Sequence, residues 1–192
     1  MKEQSLRQFV FNGLLLYDSL EALEKQKGIT VFESGDLTQV SRVVEADFSP
    51  IVWNNAINMS SVYQAIFCIE NTLRNFIVER MSERHGLNWW EEKVPVNIKK
   101  AVEKLKKEEQ RNKFFSSRSD SEIGYTMLGN LGQIIINNWD DFSDIIPSQA
   151  WLTSRMDDLE MARNIVMHTG VLPQIEIDRI ASIVRDLLRQ IG

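Results

Sequence analysis

The stretch "MARNIVMHTG", residues 161–170, contains the side chains best suited to chemistry. His168 closes a predicted helix, where a histidine can act as a general acid near neutral pH or merely cap the last carbonyl groups. Asn164 shares its helix face at the i,i+4 spacing, whereas Arg163 lies about 140° away around the helix. One straight helix therefore does not bring Arg163 and His168 to the same face.

Two arrangements could bring these groups into one site. Thr169 and Gly170 follow the histidine and could unwind the last turn of the helix. Alternatively, a second copy of the chain, related by a two-fold axis, could supply the complementary face. Both arrangements predict that His168 is partly exposed.

Charged residues also fall on apolar helix faces. At about 100° per residue, Arg163 lies within the apolar arc of its helix, formed by Leu152, Met156, Leu159, Ala162 and Val166. Glu70 and Arg74 lie in the same way among Tyr63, Ile66, Phe67, Leu73, Ile77 and Met81. A buried charge must be paired or face a wet cleft. Glu70 could therefore join both arginines in an inter-helix salt bridge, or it could hold an arginine at a cleft.

The elements that carry these residues are almost all predicted to be helical. Helices are expected at about 4–27, 60–83, 95–115, 123–139, 147–168 and 174–191, with a short strand possible at 29–32 and a loop at 87–95. We predict an all-α fold, in which an N-terminal helical extension (1–47) precedes a bundle of four to five main helices (48–192).

Composition excludes several classes of protein. No apolar run is long enough to cross a membrane, and the N-terminus lacks the features of a signal peptide, so a cytoplasmic protein without membrane contact is expected. Cys68 is the single cysteine, and its position in an apolar helix predicts a buried packing role. With two histidines and one cysteine, no zinc site and no intrachain disulfide are expected.

The net charge of −5 hides a basic segment. Residues 93–118 contain nine Lys or Arg against three Glu. Such a segment can bind phosphate groups even in an acidic protein. More commonly it is a solvated helix face with i,i+4 ion pairs, so both interpretations stay open.

The stretch Arg163 to His168 reads R-N-x-x-x-H, which resembles the R-x(4 to 6)-H motif of the HEPN superfamily of all-α ribonuclease and toxin domains. "IENTLRNFIVERM", Trp89-Trp90 before Val-Pro, "YTMLGNLGQIIINNW" and "WLTSRMDDLEMARNIVMH" followed by "LPQIEIDRI" appear in the family's order. They are similar to the branch found beside a yeast mRNA-surveillance endoribonuclease and in bacterial defence proteins. The resemblance spans about residues 56–190.

The resemblance implies a homodimer in which two motifs meet across a two-fold axis, and a metal-independent endoribonuclease without a cofactor. RNA supplies its own nucleophile, the 2′-OH, so the site needs proton transfer and charge stabilisation. His168 would be the general acid or base, Arg163 would stabilise the phosphate oxygens, and Asn164 would orient either partner. The products would be a 2′,3′-cyclic phosphate and a 5′-hydroxyl.

Other residues take supporting roles in this comparison. Glu70 and Arg74 match the family's E-x-x-x-R helix and would position Arg163. The basic helix would contact the RNA backbone through Lys99, Lys100, Lys104, Lys107 and Arg111. Some family toxins carry a tyrosine two residues after the histidine, which a partner nucleotidyltransferase modifies. Gly170 stands there in this chain, so that form of neutralisation is not expected.

Three functional hypotheses follow. The first is a dimeric endoribonuclease, acting as a toxin or phage-defence effector with a neutralising partner. The second is a non-catalytic HEPN module that binds RNA or nucleotides or serves as a protein-dimerisation scaffold. The third is an unrelated helical regulator in which Arg163 and Glu70 form a buried pair.

Overall fold

The computed structural model describes residues 48–111, 114 and 116–191. These residues form six α-helices and no strand, which confirms the predicted all-α fold. The helices are α1 (Pro50–His85), α2 (Trp89–Lys93), α3 (Val96–Gln110), α4 (Leu128–Asn137), α5 (Gln149–Met167) and α6 (Gln174–Ile191). Two 3₁₀ turns lie at Glu122–Tyr125 and Trp139–Asp141. The extension predicted for residues 1–47 and the strand predicted at 29–32 lie outside the described residues.

Helix α1 is the axis of the compact unit formed by Pro50–Gly192 and packs against α4, α5 and α6. Its buried residues recur every three or four positions, at Met59, Val62, Ile66, Ile69, Leu73, Ile77 and Met81. The helix begins ten residues before the predicted start at 60. Pro50 suits a first helical position because its missing N–H has no partner there anyway. The first turns expose Ile51 and Val52, so no apolar periodicity marked them in the sequence.

Helix α5 runs antiparallel to α1. At one end, the Leu172 N–H lies 3.4 Å from the Met59 sulfur. At the other, Arg80 Nε donates to the Asp141 carbonyl at 2.8 Å, and His85 Nε2 lies 2.7 Å from Asp141 Oδ2. The segment between residues 141 and 172, which contains α5, therefore returns along α1. The end of α5 lies beside the N-terminal half of α1.

Two local predictions were wrong in detail. The loop expected at 87–95 contains α2, because Trp89 and Trp90 bury their rings in the core, edge to face at 5.6 Å. The single helix expected at 123–139 is divided into a 3₁₀ turn and α4. Thr126 lies between them with an extended backbone, and its hydroxyl donates to the Ile123 carbonyl at 2.6 Å.

Cys68 corrects another prediction, because its thiol is exposed. Ile66 and Ile69 face the core in this turn of α1, whereas Cys68 lies on the opposite, exposed side of the helix. An apolar neighbourhood in sequence was therefore a poor guide to burial. None of the described helices is long and apolar enough to span a membrane.

Candidate functional site

A cavity of about 710 Å³ lies between α1, α5 and the segment 118–127. Its size falls within the range of about 300–1,000 Å³ usual for ligand sites. Its charged lining residues are Glu70, Arg74, Arg118 and Arg163. The remaining wall combines apolar side chains with small polar ones from Asn71, Asn75, Ser119 and Ser121. Three of the predicted site residues, Glu70, Arg74 and Arg163, thus line one cavity.

Arg74 is bound to its protein neighbours through both terminal nitrogens of its guanidinium, whereas its buried Nε has no hydrogen-bond partner among the described residues. Its guanidinium forms an ion pair with Glu70 and donates to Asn71 Oδ1 at 3.1 Å and to the Thr126 carbonyl at 2.8 Å. The side chains of Arg74 and Glu70 are only 16% and 14% exposed. A charged group so bound stabilises the fold through paired, charge-assisted hydrogen bonds. Arg74 therefore fixes the chain before α4 against α1 and forms one wall of the cavity.

Arg163 is differently placed. It is half-buried at the cavity wall, and its guanidinium donates from Nη1 to Asn164 Oδ1 at 3.1 Å. It forms no ion pair with any carboxylate of the described residues, and Glu70 pairs with Arg74 instead. The inter-helix salt bridge considered from the sequence is therefore not formed. The charge of Arg163 remains available to an anion at the cavity.

His168 lies just beyond the last helical residue. Its N–H donates to the Asn164 carbonyl at 3.1 Å, and Thr169 then adopts φ 62°, in the left-handed region. The Gly170 N–H closes the turn on the Ile165 carbonyl at 2.8 Å. The side chain of His168 is exposed, as predicted, and its imidazole has no hydrogen bond within the described part of the chain.

Asn164 connects the two groups, through its side chain to Arg163 and through its carbonyl to the backbone of His168. Asn164 and His168 are exposed and do not line the cavity. One protomer therefore holds Arg163 at the cavity and His168 outside it. Arg163 and His168 therefore lie on different faces, as helical phase predicted, although the helix unwinds at Thr169.

Most of the basic helix α3 is paired with carboxylates. Lys104 Nζ lies 3.9 Å from Glu108, and Lys107 Nζ lies 3.4 Å from Glu103, both at the i,i+4 spacing. Lys99 binds Glu91 through its carbonyl at 2.6 Å and its carboxylate at 3.4 Å. Lys100 and Arg111 have no ion pair among the described residues. The helix has the paired, solvated face that was one of the two sequence interpretations.

Another lysine of α3 affects the charge of a neighbouring turn. Lys106 Nζ lies 2.6 Å from Glu122 Oε1. This hydrogen bond is the main reason that the pKa of Glu122 lies below its ordinary value. Glu122 therefore stays ionised to a lower pH than an ordinary glutamate.

Sequence reasoning missed the aromatic side of the cavity. Tyr63 and Phe67 were expected in the buried arc of α1, yet they are 44% and 55% exposed and line the cavity. The buried face of α1 is instead centred on Ile66, Ile69 and Leu73. The predicted apolar arc was therefore rotated away from the true buried face. Arg118 was counted only as part of the basic segment. No signal in the sequence indicated that its loop would close the cavity.

No group of three or more His, Cys, Asp or Glu residues in the described ranges is arranged to hold a metal ion. Residues 64–192, more than half of the chain, match the profile of the Swt1-like HEPN family. Comparisons with curated proteins and with solved structures gave no match.

Proposed function

The chain belongs to the Swt1-like HEPN family, whose modules are commonly ribonucleases, and we propose that it is a metal-independent endoribonuclease. The observation that carries this proposal is that the two chemically useful side chains of the motif, Arg163 and His168, are both without a charged partner in the part of the chain that the structure describes. Arg163 has no carboxylate partner among the described residues, and the imidazole of His168 is exposed without a hydrogen bond. Asn164 connects them. A cation for phosphate and a proton carrier are the groups that RNA cleavage by its own 2′-OH requires.

In this mechanism the 2′-oxygen attacks the adjacent phosphorus while the bond from phosphorus to the 5′-oxygen breaks. The 2′-OH loses its proton to a base, and the leaving 5′-oxygen gains a proton from an acid. His168 serves as one of these groups. Arg163 donates to the phosphate oxygens, where negative charge accumulates in the transition state. The products are a 2′,3′-cyclic phosphate and a 5′-hydroxyl.

The proposed site is composite, with two copies of Arg163, Asn164 and His168 facing each other across a two-fold axis. The different directions of Arg163 and His168 in one protomer support this proposal, because a partner supplies the missing group. Exposed apolar side chains surround the motif, at Met161, Ile165, Met167, Val171 and Ile175. Clustered exposed apolar residues favour association with another surface.

Supporting roles follow from the same contacts. Glu70 and Arg74 would maintain the cavity wall that presents Arg163. Lys100 and Arg111 would contact the RNA backbone directly, whereas Lys99, Lys104 and Lys107, each paired with a glutamate, would add little to RNA binding. We further propose a cytoplasmic toxin or phage-defence effector, restrained by a partner that does not modify residue 170.

The second candidate function is a non-catalytic module that binds RNA and dimerises. The exposed apolar residues around the motif favour it as much as they favour the nuclease, because a scaffold needs the same interface. The two functions differ only in whether His168 moves a proton.

Cleavage in EDTA separates these functions. The purified full chain is expected to cut a mixed-sequence RNA in EDTA and to leave cyclic phosphate ends. His168→Ala should lower the rate at least about 100-fold, the usual contribution of a general acid or base. His85→Asn is the matched control, because the other histidine contacts Asp141 at the far end of α1 and should retain activity.

Circular dichroism and light scattering would show that the His168→Ala protein keeps its helices and oligomeric state. Intact RNA with the wild-type protein, although it binds RNA and dimerises, would contradict the nuclease and support the module. Equal cleavage by the wild-type and His168→Ala proteins would assign the activity to another group or to a contaminant.

A further inference from the structure

Two exposed aromatic rings line the cavity without a role in the core. Tyr63 and Phe67 lie one turn apart on α1, with ring centroids 6.0 Å apart. Their exposed surface faces the cavity that also holds Arg163. Aromatic faces beside a cationic groove are the usual platform for unpaired nucleobases, because every base offers a π-face.

The charge of the cavity wall suits the backbone of the same ligand. Glu70 is the single carboxylate against the guanidinium groups of Arg74, Arg118 and Arg163 among the described lining residues. Arg74 and Arg118 are paired with Glu70 and Glu109, so the uncompensated charge belongs to Arg163. An anion bound in this cavity would therefore meet Arg163 first.

The antiparallel course of α5 places the aromatic rings at the reactive end. The contact between Leu172 and Met59 brings the end of α5, and with it His168, beside the N-terminal half of α1. The cavity then follows α1 from Tyr63 to Val78, about 22 Å at 1.5 Å per residue. This length exceeds that of one nucleotide.

We infer that this cavity binds unpaired RNA, with the base beside the scissile phosphate stacked on Phe67 and Tyr63. The inference rests on the proposed function and adds its substrate class. A base farther along the cavity lies toward Asn75, whose side-chain amide has no hydrogen bond among the described residues. An amide offers both donors and an acceptor, so Asn75 can read the edge of that base. Duplex RNA hides its base faces in the stack and so offers none to the two rings.

Binding of an uncleavable RNA tests this inference without relying on cleavage. The probe is a fluorescent 2′-O-methyl oligonucleotide of mixed sequence, measured by anisotropy with the full chain. Phe67→Ala should weaken binding about 5- to 100-fold, the range expected from the loss of one base stack. Phe67→Trp should retain it, and a 2′-O-methyl duplex should compete poorly.

Phe114→Ala is the matched control, because Phe114 is 96% exposed and does not line the cavity. Equal affinities of the Phe67→Ala and Phe114→Ala proteins would overturn the inference. A duplex that competes as well as the single strand would also overturn it. So would a Phe67→Ala protein that changes from dimer to monomer, because the rings would then belong to an interface.

Two further outcomes distinguish this inference from the nuclease proposal. Strong Phe67-dependent binding of single strands, without cleavage of ordinary RNA in EDTA, would refute the nuclease and retain the subsite. Cleavage that is unaffected by Phe67→Ala would retain the nuclease and refute the subsite.

The role of Asn75 has its own measurement. With oligonucleotides that differ in one base near the cleavage point, Asn75→Ala should reduce the ratio of affinities by which the wild type prefers one base. A preference that survives the substitution would remove Asn75 from base recognition.

Discussion

Helix α3 and the cavity wall are both rich in positive charge, yet they offer different amounts of it to a ligand. On α3, Lys99, Lys104 and Lys107 each lie beside a glutamate. At the cavity, Arg163 has only the amide of Asn164. The segment with the most cations therefore presents fewer free charges than their number suggests. A count of cations in a sequence does not measure the charge available for binding.

Local spacing explains this difference. Glutamates one turn from Lys104 and Lys107 can pair with them in any helix, whatever the tertiary fold. The positions four residues from Arg163 are Leu159 and Met167, which cannot pair with it. Glu160 lies three residues before Arg163, but its carboxylate lies against Gly129 of α4, in the space that a Cβ would fill. Arg163 is left without a local counter-ion.

The largest expected effect comes from Arg163→Lys. Lysine keeps the charge but lacks the planar fork that binds two phosphate oxygens, so cleavage should fall about 100-fold. Lys104→Ala is the control from the paired helix and should stay within about twofold of the wild type. Initial cleavage rates in EDTA make this comparison. Similar losses in both variants would mean that the two regions do not differ in function.

An intermediate effect is expected within α3 and Arg111, the residue that follows it. Lys100→Ala with Arg111→Ala removes two unpaired cations, and RNA affinity should fall about 3- to 10-fold with a shallower salt dependence. Lys104→Ala with Lys107→Ala removes two paired cations and should change affinity less than about twofold. Anisotropy titrations at several salt concentrations provide the measurement. A larger loss in the second variant would show that the glutamates exchange readily for phosphate.

The smallest effect concerns acid stability. The hydrogen bond from Lys106 lowers the pKa of Glu122, so its contribution to stability is present above the ordinary pKa of a glutamate. This contribution is lost as the pH falls through the lowered value. It should stay below about 1 kcal/mol because Glu122 is half-exposed.

Urea denaturation near pH 7 and below about pH 4 tests this expectation. Glu122→Gln should unfold at lower urea than the wild type at neutral pH and approach it in acid. If the urea midpoints of the two proteins differed by the same amount at both pH values, the ion pair with Lys106 would not explain the effect of the substitution.

Sequence periodicity predicted the helical fold and the courses of α3, α5 and α6, because each has a clear apolar repeat or a proline near its start. It failed where tertiary contacts overrode local pattern. Trp89 and Trp90 form a short helix because the core accepts both rings. Tyr63 and Phe67 look like core residues in sequence, yet the bundle buries Ile66 and Ile69 instead. Helical phase correctly separated Arg163 from His168, since that relation is local to one helix.

The sequence by itself determined the main helices and the R-N-x-x-x-H spacing, because these depend on neighbours within a few turns, and the order of its motifs indicated the family. The i,i+4 spacing permits the ion pair of Glu70 with Arg74, but only the tertiary structure decided that Glu70 does not also reach Arg163. Helical spacing places both arginines on apolar helix faces. The Thr126 carbonyl that accepts from Arg74, however, comes from 52 residues away in the chain. Long-range packing, which no local pattern records, selected the arginine that remains available for chemistry.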